Sequence, residues 1–262
     1  MSQPKYKLNL KRSKEDGRDW NAENIYAAGP LPEKFSMKDK LGDIRDQGTY
    51  GTCAAQAAAC IKEYQEYTED GLVEPFSAMY VYALRTPNNS SGMYPRDTMK
   101  IMQEQGGIAN KDYPYKGVNR TASHITPEIY AAAQNFKVKN YAKVSTIDAL
   151  KRALIADGPC LVGLPVYNYG ETFWKAEFGD ESQGGHAVTI VGYDKKGLIL
   201  RNSWGYSWGD GGYGFFPYKD WGIQWEIWTT IDDQSSKVDS YKYEAKKIDP
   251  TAKTCFLAKL WS

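Results

Sequence analysis

Apolar residues in the first half of the chain recur at helical spacing, whereas those in the second half form short runs typical of strands. The pattern predicts a helix over 52–67 with Thr52 as its candidate cap, and a second helix after Pro75 with Ser77 as its cap. Further helices are predicted over about 95–105 and 146–156. Strands are predicted at 160–166, 186–193, 198–202 and 212–216. Helices followed by strands indicate an α+β fold with two lobes, whose boundary is a natural place for a cleft.

Composition and charge narrow the classes of protein that this sequence can encode. The chain has 262 residues and a net charge of +1, with 25% charged and 42% hydrophobic residues, which is typical of a globular protein. Neither end is a dense basic block, so we expect no nucleic-acid partner. No apolar run approaches the length of a membrane span, and the first thirty residues lack the apolar stretch of a secretory signal. We therefore expect a cytoplasmic protein with no membrane partner, most simply a monomer.

The four cysteines are widely spaced, at positions 53, 60, 160 and 255. This spacing argues against a zinc ribbon and against a dithiol redox motif. Two disulfides are arithmetically possible, but a chain of this length needs none to hold its core, and a reducing compartment fits best. The glycine-rich loop at 209–214 lacks the lysine of a phosphate-binding loop. We expect no metal and no organic cofactor.

Two histidines and one cysteine are the candidates for catalytic chemistry. His124 lies in a polar stretch and is predicted to be a solvated loop residue, whereas His186 follows two glycines and begins an apolar strand. Cys53 opens the first predicted helix, where unpaired N–H groups and the helix dipole stabilise a thiolate. The alternative is that Cys53 is a small buried apolar residue, as we assume for Cys60 and Cys160. Its position alone does not decide between the two.

Three sequence blocks resemble those of papain-like cysteine peptidases. They are QGTYGTCAAQ at 47–56, GGHAVTIVGYD at 184–194 and LRNSWGYSWGDGGYGFF at 200–216. His186 and Asn202 follow Cys53 by 133 and 149 residues, which is the order and approximate spacing known for papain and the cathepsins. The resemblance covers about residues 31–232. It implies a papain-like two-lobed fold, with a helical lobe over about 42–140, an antiparallel β-rich lobe over about 141–232 and the active site in the cleft between them.

The resemblance also implies a role for each matching residue. Cys53 is the implied nucleophile, held as a thiolate against the imidazolium of His186, and Asn202 orients the imidazole ring. Trp204 shields the hydrogen bond between these two side chains from water. Gln47 donates an amide N–H to the developing oxyanion, beside the backbone N–H of Cys53. The implied activity is that of an endopeptidase, which hydrolyses peptide bonds through a thioester intermediate.

The substrate-binding residues follow from the same resemblance. Residues 91–95 resemble the family strand whose backbone pairs with an extended peptide, and an apolar pocket beside it would take the second side chain before the scissile bond. We expect Leu, Val or an aromatic residue there. Met93 stands where the family usually has glycine, so either its side chain crowds the cleft or the alignment slips by one residue. The expected binding residues are Gly92, Met93, Tyr94, Pro95, Gly185, Ala187 and Trp204.

Three positions depart from the family pattern without removing a catalytic atom. Tyr50 replaces a cysteine that usually forms a disulfide, in agreement with a reducing compartment. Ala54 replaces the tryptophan that usually follows the nucleophile, and Gly185 stands where many members have Asp or Asn.

Two segments lie outside the resemblance, an N-terminal extension over 1–30 and a C-terminal tail over 233–262. The extension is expected to pack on the surface as a strap, and a sharper hypothesis makes it a small inhibitory arm near Cys53. The tail is expected to dock on its own domain. The apolar residues of the extension that are worth burying are Leu8, Leu10, Trp20, Ile25 and Tyr26.

Two alternative functions stay open at the level of the sequence. The same residues serve a peptide ligase, an amidase or an exopeptidase, and product analysis with an amine acceptor separates these from an endopeptidase. A non-catalytic binding module on the same fold is the other alternative, and ionisation of the Cys53 thiol at low pH argues against it.

Overall fold

The computed structural model describes residues 6–71, 74–115 and 121–232. The helices in these ranges are α1 (Cys53–Asp70), α2 (Ala78–Ala83), α3 (Pro95–Glu104), α4 (Pro127–Ala133) and α5 (Ile147–Ala156). The strands are β1 (Phe35–Ser36), β2 (Val138–Lys143), β3 (Cys160–Val166), β4 (Gly184–Tyr193), β5 (Gly197–Arg201), β6 (Tyr213–Pro217) and β7 (Glu226–Asp232). In the described part of the chain, no helix is long and apolar enough to cross a membrane.

Helix α1 is the long predicted helix, and it ends where Gly71 adopts a φ of +67°. A glycine in this left-handed conformation terminates helices because it has no Cβ to clash. The predicted role of Thr52 as cap is wrong, since its side chain caps no N–H group of α1. Its hydroxyl instead forms a 2.7 Å hydrogen bond with the Tyr115 hydroxyl. Thr52 therefore ties the start of α1 to the loop that carries Tyr115.

The other predicted helices and strands are present within one to three residues of their expected ends, and Ser77 caps α2 by accepting the Tyr80 N–H at 3.0 Å. Four elements had no prediction. β1 is only two residues long, and β2, α4 and β7 combine apolar residues with charged or polar ones in short segments. Their formation depends on partners that the local pattern does not reveal.

An antiparallel sheet, whose strand order differs from the order along the chain, forms the second lobe. Its strands run in the order β2-β7-β3-β4-β5-β6, and β1 pairs separately with β4. The pairing of β1 carries residues 31–41 across to this lobe before the chain returns to α1. One core cluster lies mainly among the helices and includes Cys53, and a second lies on the sheet and includes Trp204. Each of the two core clusters therefore contributes a residue to the cleft between the lobes, Cys53 from the first and Trp204 from the second.

The N-terminal extension lies across both lobes. Leu8 and Leu10 are buried and Tyr26 is partly buried, but the prediction that Trp20 is buried is wrong, because 55% of it is exposed. Polar contacts hold the C-terminal part of the extension, such as the 2.5 Å hydrogen bond from the Tyr26 hydroxyl to the Asp157 carboxylate. We call residues 6–13 the strap. The predicted docking of the tail lies outside the described residues.

Candidate active site

Cys53 is the first residue of α1 and lies behind a tightly packed loop. Gly48 turns this loop with a φ of +56°. A Cβ on Gly51 would lie 1.9 Å from the Ser91 carbonyl oxygen, so only glycine fits beside that segment. The two glycines let the loop approach residues 91–93 closely and place Cys53 at the cleft.

Gln47 is fixed in this loop from several sides. Its backbone N–H donates to the Ser203 carbonyl at 2.9 Å, and its side-chain oxygen accepts the Ser203 hydroxyl at 2.9 Å. The side-chain Nε2 donates to the Tyr50 carbonyl at 3.0 Å and to the Lys7 carbonyl at 3.4 Å. Lys7 belongs to the strap. Its peptide carbonyl therefore already accepts a hydrogen bond from the Gln47 side-chain amide, the group that the sequence predicts as the oxyanion donor.

His186 and Asn202 come together from neighbouring strands. His186 lies in β4 and Asn202 directly follows β5, so the antiparallel pairing of these strands sets their separation. His186 Nε2 donates to Asn202 Oδ1 at 2.7 Å, and the same oxygen accepts the Ser203 N–H at 2.8 Å. Since Nε2 carries the proton, Nδ1 is the basic nitrogen. It is buried and has no hydrogen-bond partner among the described residues.

An aromatic cage shields this hydrogen bond. The Trp204 ring stacks on His186 with centroids 4.5 Å apart and an interplanar angle of 23°. The ring of Tyr6, a strap residue, also stacks on Trp204, with centroids 5.0 Å apart. The Tyr6 hydroxyl donates to the Trp204 carbonyl at 2.8 Å. Trp204 therefore contacts His186 and the strap, as a shielding residue at the cleft would.

The strap occupies the cleft in an extended conformation. The Leu10 N–H donates to the Gly185 carbonyl at 3.1 Å, and the Lys11 N–H donates to the Met93 carbonyl at 3.0 Å. A Cβ on Gly92 would lie 1.7 Å from the Asn9 carbonyl oxygen. One lobe supplies residues 91–93 and the other supplies 184–185, so the strap bridges the two lobes over the site.

The binding residues predicted from the sequence differ in how they meet the strap. Gly92, Met93 and Gly185 contact the strap backbone, while Ala187 belongs to the same core cluster as Leu10. Tyr94 and Pro95 lie at the start of α3, with the Lys11 ammonium 5.4 Å from the Tyr94 ring centroid. Trp204 contacts the strap through Tyr6.

Two residues near the position of Leu10 in the cleft had no prediction. Gly163 and Glu226 face each other across β3 and β7, and a Cβ on Gly163 would lie 3.0 Å from Leu10 Cδ2 and 3.7 Å from Glu226 Cγ. The short apolar run of β3 gave no sign that Gly163 lines a pocket. Glu226 lies in a strand that the pattern did not reveal.

Burial controls the charge state of the two reactive side chains in this covered cleft. Cys53 and His186 are 1% and 0% exposed. Desolvation raises the pKa of the Cys53 thiol to about 11, although the N–H groups of Ala187 and Ala54 act in the opposite direction. Desolvation also lowers the pKa of His186 to about 4, against the effect of its hydrogen bond to Asn202.

In the covered state, burial therefore acts against the predicted thiolate–imidazolium pair, because it raises the pKa of Cys53 and lowers the pKa of His186. No hydrogen bond joins the two side chains among the described residues. The helix N-terminus does favour a thiolate, but the loss of water around the sulfur outweighs it. The prediction that Cys60 and Cys160 are buried is confirmed, and His124 lies in an exposed turn as expected.

Comparison with known proteins identifies the relatives of this chain. The family profile described as papain family cysteine protease matches residues 31–227. Cysteine proteinase 3 of Entamoeba histolytica is 28% identical over 212 residues, which cover 72% of this chain and 64% of that protein. Cathepsin K of Mus musculus is 28% identical over 214 residues, which cover 75% of this chain and 64% of that protein. The chain thus matches under two thirds of the length of these curated relatives.

Solved structures support the fold. Xylellain, a cysteine protease from Xylella fastidiosa, superposes with a TM-score of 0.76 at 24% identity, covering 89% of this chain and all (100%) of that chain. Digestive procathepsin L 3 of Tenebrio molitor superposes with a TM-score of 0.64 at 19% identity, covering 78% of this chain and 71% of that chain. At these identities the comparison shows a shared fold, which confirms the predicted papain-like α+β architecture.

We predict that Leu10→Asp exposes Cys53. The substitution places a charge in an apolar cluster, so the strap should leave the cleft. Raising the pKa of Cys53 from 9.0 to about 11 lowers the thiolate fraction at pH 7 about 100-fold. Alkylation of Cys53 by iodoacetamide, mapped by mass spectrometry, should therefore be at least about tenfold faster in the variant.

The matched control for this substitution is Ile155→Asp, since Ile155 is 41% exposed on α5. This variant should react like the unchanged chain. Equal Cys53 reactivity in all three proteins would contradict the view that the strap protects the thiol.

We predict that acidification destabilises the covered state through His186. Its pKa is about 4 in the folded chain against 6.5 for the free group, so the unfolded chain binds more protons between these values. The free energy of unfolding should therefore fall as the pH is lowered from 6.5 towards 4, by at most about 3 kcal/mol from this residue. Urea titrations of the unchanged chain and of His186→Gln should show a shallower dependence for the variant. Identical slopes would mean that His186 is not buried in its neutral form.

Proposed function

Because the chain belongs to the papain family of cysteine proteases, we propose that it is an endopeptidase that acts on peptide or protein substrates and is inhibited by its own strap. One observation carries this proposal. The 2.7 Å hydrogen bond from His186 Nε2 to Asn202 Oδ1 leaves Nδ1 as a base in the cleft that holds Cys53, and the strap backbone covers that cleft.

The strap supports the assignment of the cleft to peptides. Its N–H groups already pair with the carbonyls of Gly185 and Met93, and its Lys7 carbonyl accepts from Gln47. These are the hydrogen bonds that an extended substrate needs for its backbone and for the carbonyl that is attacked. A substrate and the strap cannot use them at once, so the strap must leave before turnover.

Departure of the strap also changes the charge balance of the site. Water then reaches Cys53 and His186, which reduces the desolvation that now keeps both neutral. His186 Nδ1 can take the thiol proton, and the thiolate is stabilised by the N–H groups at the start of α1. The ion pair expected from the sequence belongs to this open state.

The reaction then follows from the positions of these groups. The Cys53 sulfur attacks the substrate carbonyl carbon, and the oxyanion accepts hydrogen bonds from Gln47 Nε2 and the Cys53 N–H. Collapse of this intermediate breaks the C–N bond, and the His186 imidazolium gives its proton to the leaving amine. His186 next deprotonates a water molecule, which hydrolyses the thioester and regenerates the thiol. Asn202 keeps the imidazole ring of His186 in the same orientation through both steps.

We also propose that the protein acts in a reducing compartment, the cytoplasm. Cys53, Cys60 and Cys160 are free thiols, and Tyr50 occupies a usual disulfide position of the family. Subcellular fractionation of the source cells with antibody detection checks this, and recovery in the medium would contradict it.

We predict that Leu10→Asp raises peptidase activity at least about tenfold over the unchanged chain, because it opens the cleft. In that background, Cys53→Ser should abolish turnover. Gln47→Ala should lower kcat about 100-fold, the usual effect of losing one oxyanion donor. Cleavage of an internally quenched peptide, with products identified by mass spectrometry, measures all three.

Gln103→Ala is the matched control, since Gln103 lies on α3 and donates to the Lys139 carbonyl. Its activity should be unchanged. Release of terminal residues only would indicate an exopeptidase, and products joined to an added amine would indicate a ligase. Rapid alkylation of Cys53 without turnover would contradict the proposed activity.

A further inference from the structure

The two proposed oxyanion donors lie at opposite ends of one short loop. Gln47 supplies its side-chain N–H at the start of this loop, and Cys53 supplies its backbone N–H at the end, where α1 begins. The separation of the two donors therefore depends on how the residues between them are held. In the papain-like family a cysteine at the position of Tyr50 usually cross-links this loop, and a tyrosine cannot form that bond. The loop must be held in another way in this chain.

Tyr115 contacts this loop at three points. Its hydroxyl donates to the Gln47 carbonyl at 2.8 Å and forms a 2.7 Å hydrogen bond with the Thr52 hydroxyl. Its ring meets the Tyr50 ring in a T-shaped arrangement, with centroids 5.9 Å apart and an interplanar angle of 80°. One side chain thus contacts the start, the middle and the end of the loop.

The directions of these hydrogen bonds follow from the number of protons available. A tyrosine hydroxyl has one proton and the Gln47 carbonyl can only accept, so Tyr115 donates its proton to Gln47. The Thr52 hydroxyl must then donate to the Tyr115 oxygen. Thr52 Oγ1 in turn accepts from Gln56 Nε2 at 3.4 Å. A chain of hydrogen bonds therefore runs from α1 to the Gln47 carbonyl, and each bond in it polarises the next.

Tyr115 is itself fixed by contacts outside the loop. Its backbone N–H donates to Asn110 Oδ1 at 3.1 Å, and the Asn110 N–H donates to the Pro75 carbonyl at 2.7 Å. These residues belong to the helical lobe. From the sheet lobe, the Ser203 hydroxyl donates to the side-chain oxygen of Gln47 at 2.9 Å. Gln47 is therefore held between Tyr115 on its main chain and Ser203 on its side chain.

We propose that Tyr115 is a positioning residue that sets the spacing of Gln47 Nε2 and the Cys53 N–H, so that both donors reach the same oxyanion. This inference rests on the proposed peptidase function, and Tyr115 acts through Gln47 and Thr52 rather than on the substrate. Loss of its hydroxyl deprives Thr52 of this acceptor and leaves the Gln47 carbonyl with the longer hydrogen bond from the Tyr50 N–H, at 3.4 Å. The effect should fall on kcat, because the oxyanion forms only as the carbonyl is attacked.

The test uses the full chain with Leu10→Asp, which is expected to open the cleft. Tyr115→Phe keeps the ring beside Tyr50 and removes only the hydroxyl. We expect kcat for the internally quenched peptide to fall at least about tenfold with KM within about twofold, since removing an oxyanion donor outright lowers kcat about 100- to 1000-fold. Tyr218→Phe is the matched control, because the Tyr218 hydroxyl also donates to a backbone carbonyl, that of Asp194 at 3.0 Å, and kcat should not change.

A second readout separates positioning from a general loss of structure. In the alkylation of Cys53 by iodoacetamide, the sulfur bonds to carbon and iodide leaves, and no oxyanion forms. The alkylation rate of Tyr115→Phe should therefore equal that of the parent chain while kcat falls. Equal falls in alkylation and turnover would show that the hydroxyl only supports the fold, and they would overturn the inference. An unchanged kcat would overturn it as well.

Failure of the proposed function gives a different result. If the chain with Leu10→Asp cleaves no peptide, the peptidase function is contradicted, and Tyr115 is tested with a peptide aldehyde instead. The Cys53 thiol adds across the aldehyde C=O bond, so that sulfur bonds to the carbon and the proton passes to the oxygen at the oxyanion position. Weaker protection of Cys53 from iodoacetamide by the aldehyde in Tyr115→Phe supports the inference, and equal protection overturns it. Where Tyr115→Phe does not fold, Thr52→Val removes the other hydroxyl of the chain of hydrogen bonds, and the same outcomes apply.

Discussion

The hydrogen bond between His186 and Asn202 is the interaction on which the site depends. It exists because β4 and β5 are adjacent antiparallel strands, so their pairing decides how far apart the two side chains lie. The bond leaves Nδ1 without a proton, and Trp204 keeps water away from it. The helical lobe contributes the Cys53 sulfur, the N–H groups at the start of α1 and Gln47. The chemistry is therefore assembled by the sheet and completed across the cleft.

The cleft carries two requirements that conflict. Catalysis needs Cys53 charged and His186 protonated, whereas the covered cleft removes the water that stabilises both charges. The burial that raises the pKa of Cys53 and lowers the pKa of His186 thus suppresses the nucleophile without displacing a catalytic atom. The proposed inhibition by the strap is therefore electrostatic as well as steric. Departure of the strap removes both the desolvation and the steric block, because the strap residues that exclude water also occupy the peptide-binding groups.

The sequence was sufficient for the parts of the molecule that depend on local pattern or on motif. Helix α1 and the strands β3 to β6 followed from periodicity, and the group of Cys53, His186, Asn202 and Gln47 followed from the resemblance to papain-like peptidases. The pattern did not reveal β7, because its charged and apolar residues are arranged by pairing with β2 and β3. The prediction of Thr52 as a cap was wrong for a similar reason, since its hydroxyl forms a hydrogen bond with the distant Tyr115 hydroxyl. The charge state of Cys53 required knowledge of what covers it.

The strap shows what the cleft needs even before a substrate is considered. Its Lys7 carbonyl accepts from Gln47, its backbone N–H groups pair with Gly185 and Met93, and its Ser13 N–H satisfies Glu226. Each contact pairs a polar group of the cleft with a backbone group of the strap. A good substrate must meet the same groups, because any one left unpaired costs binding energy.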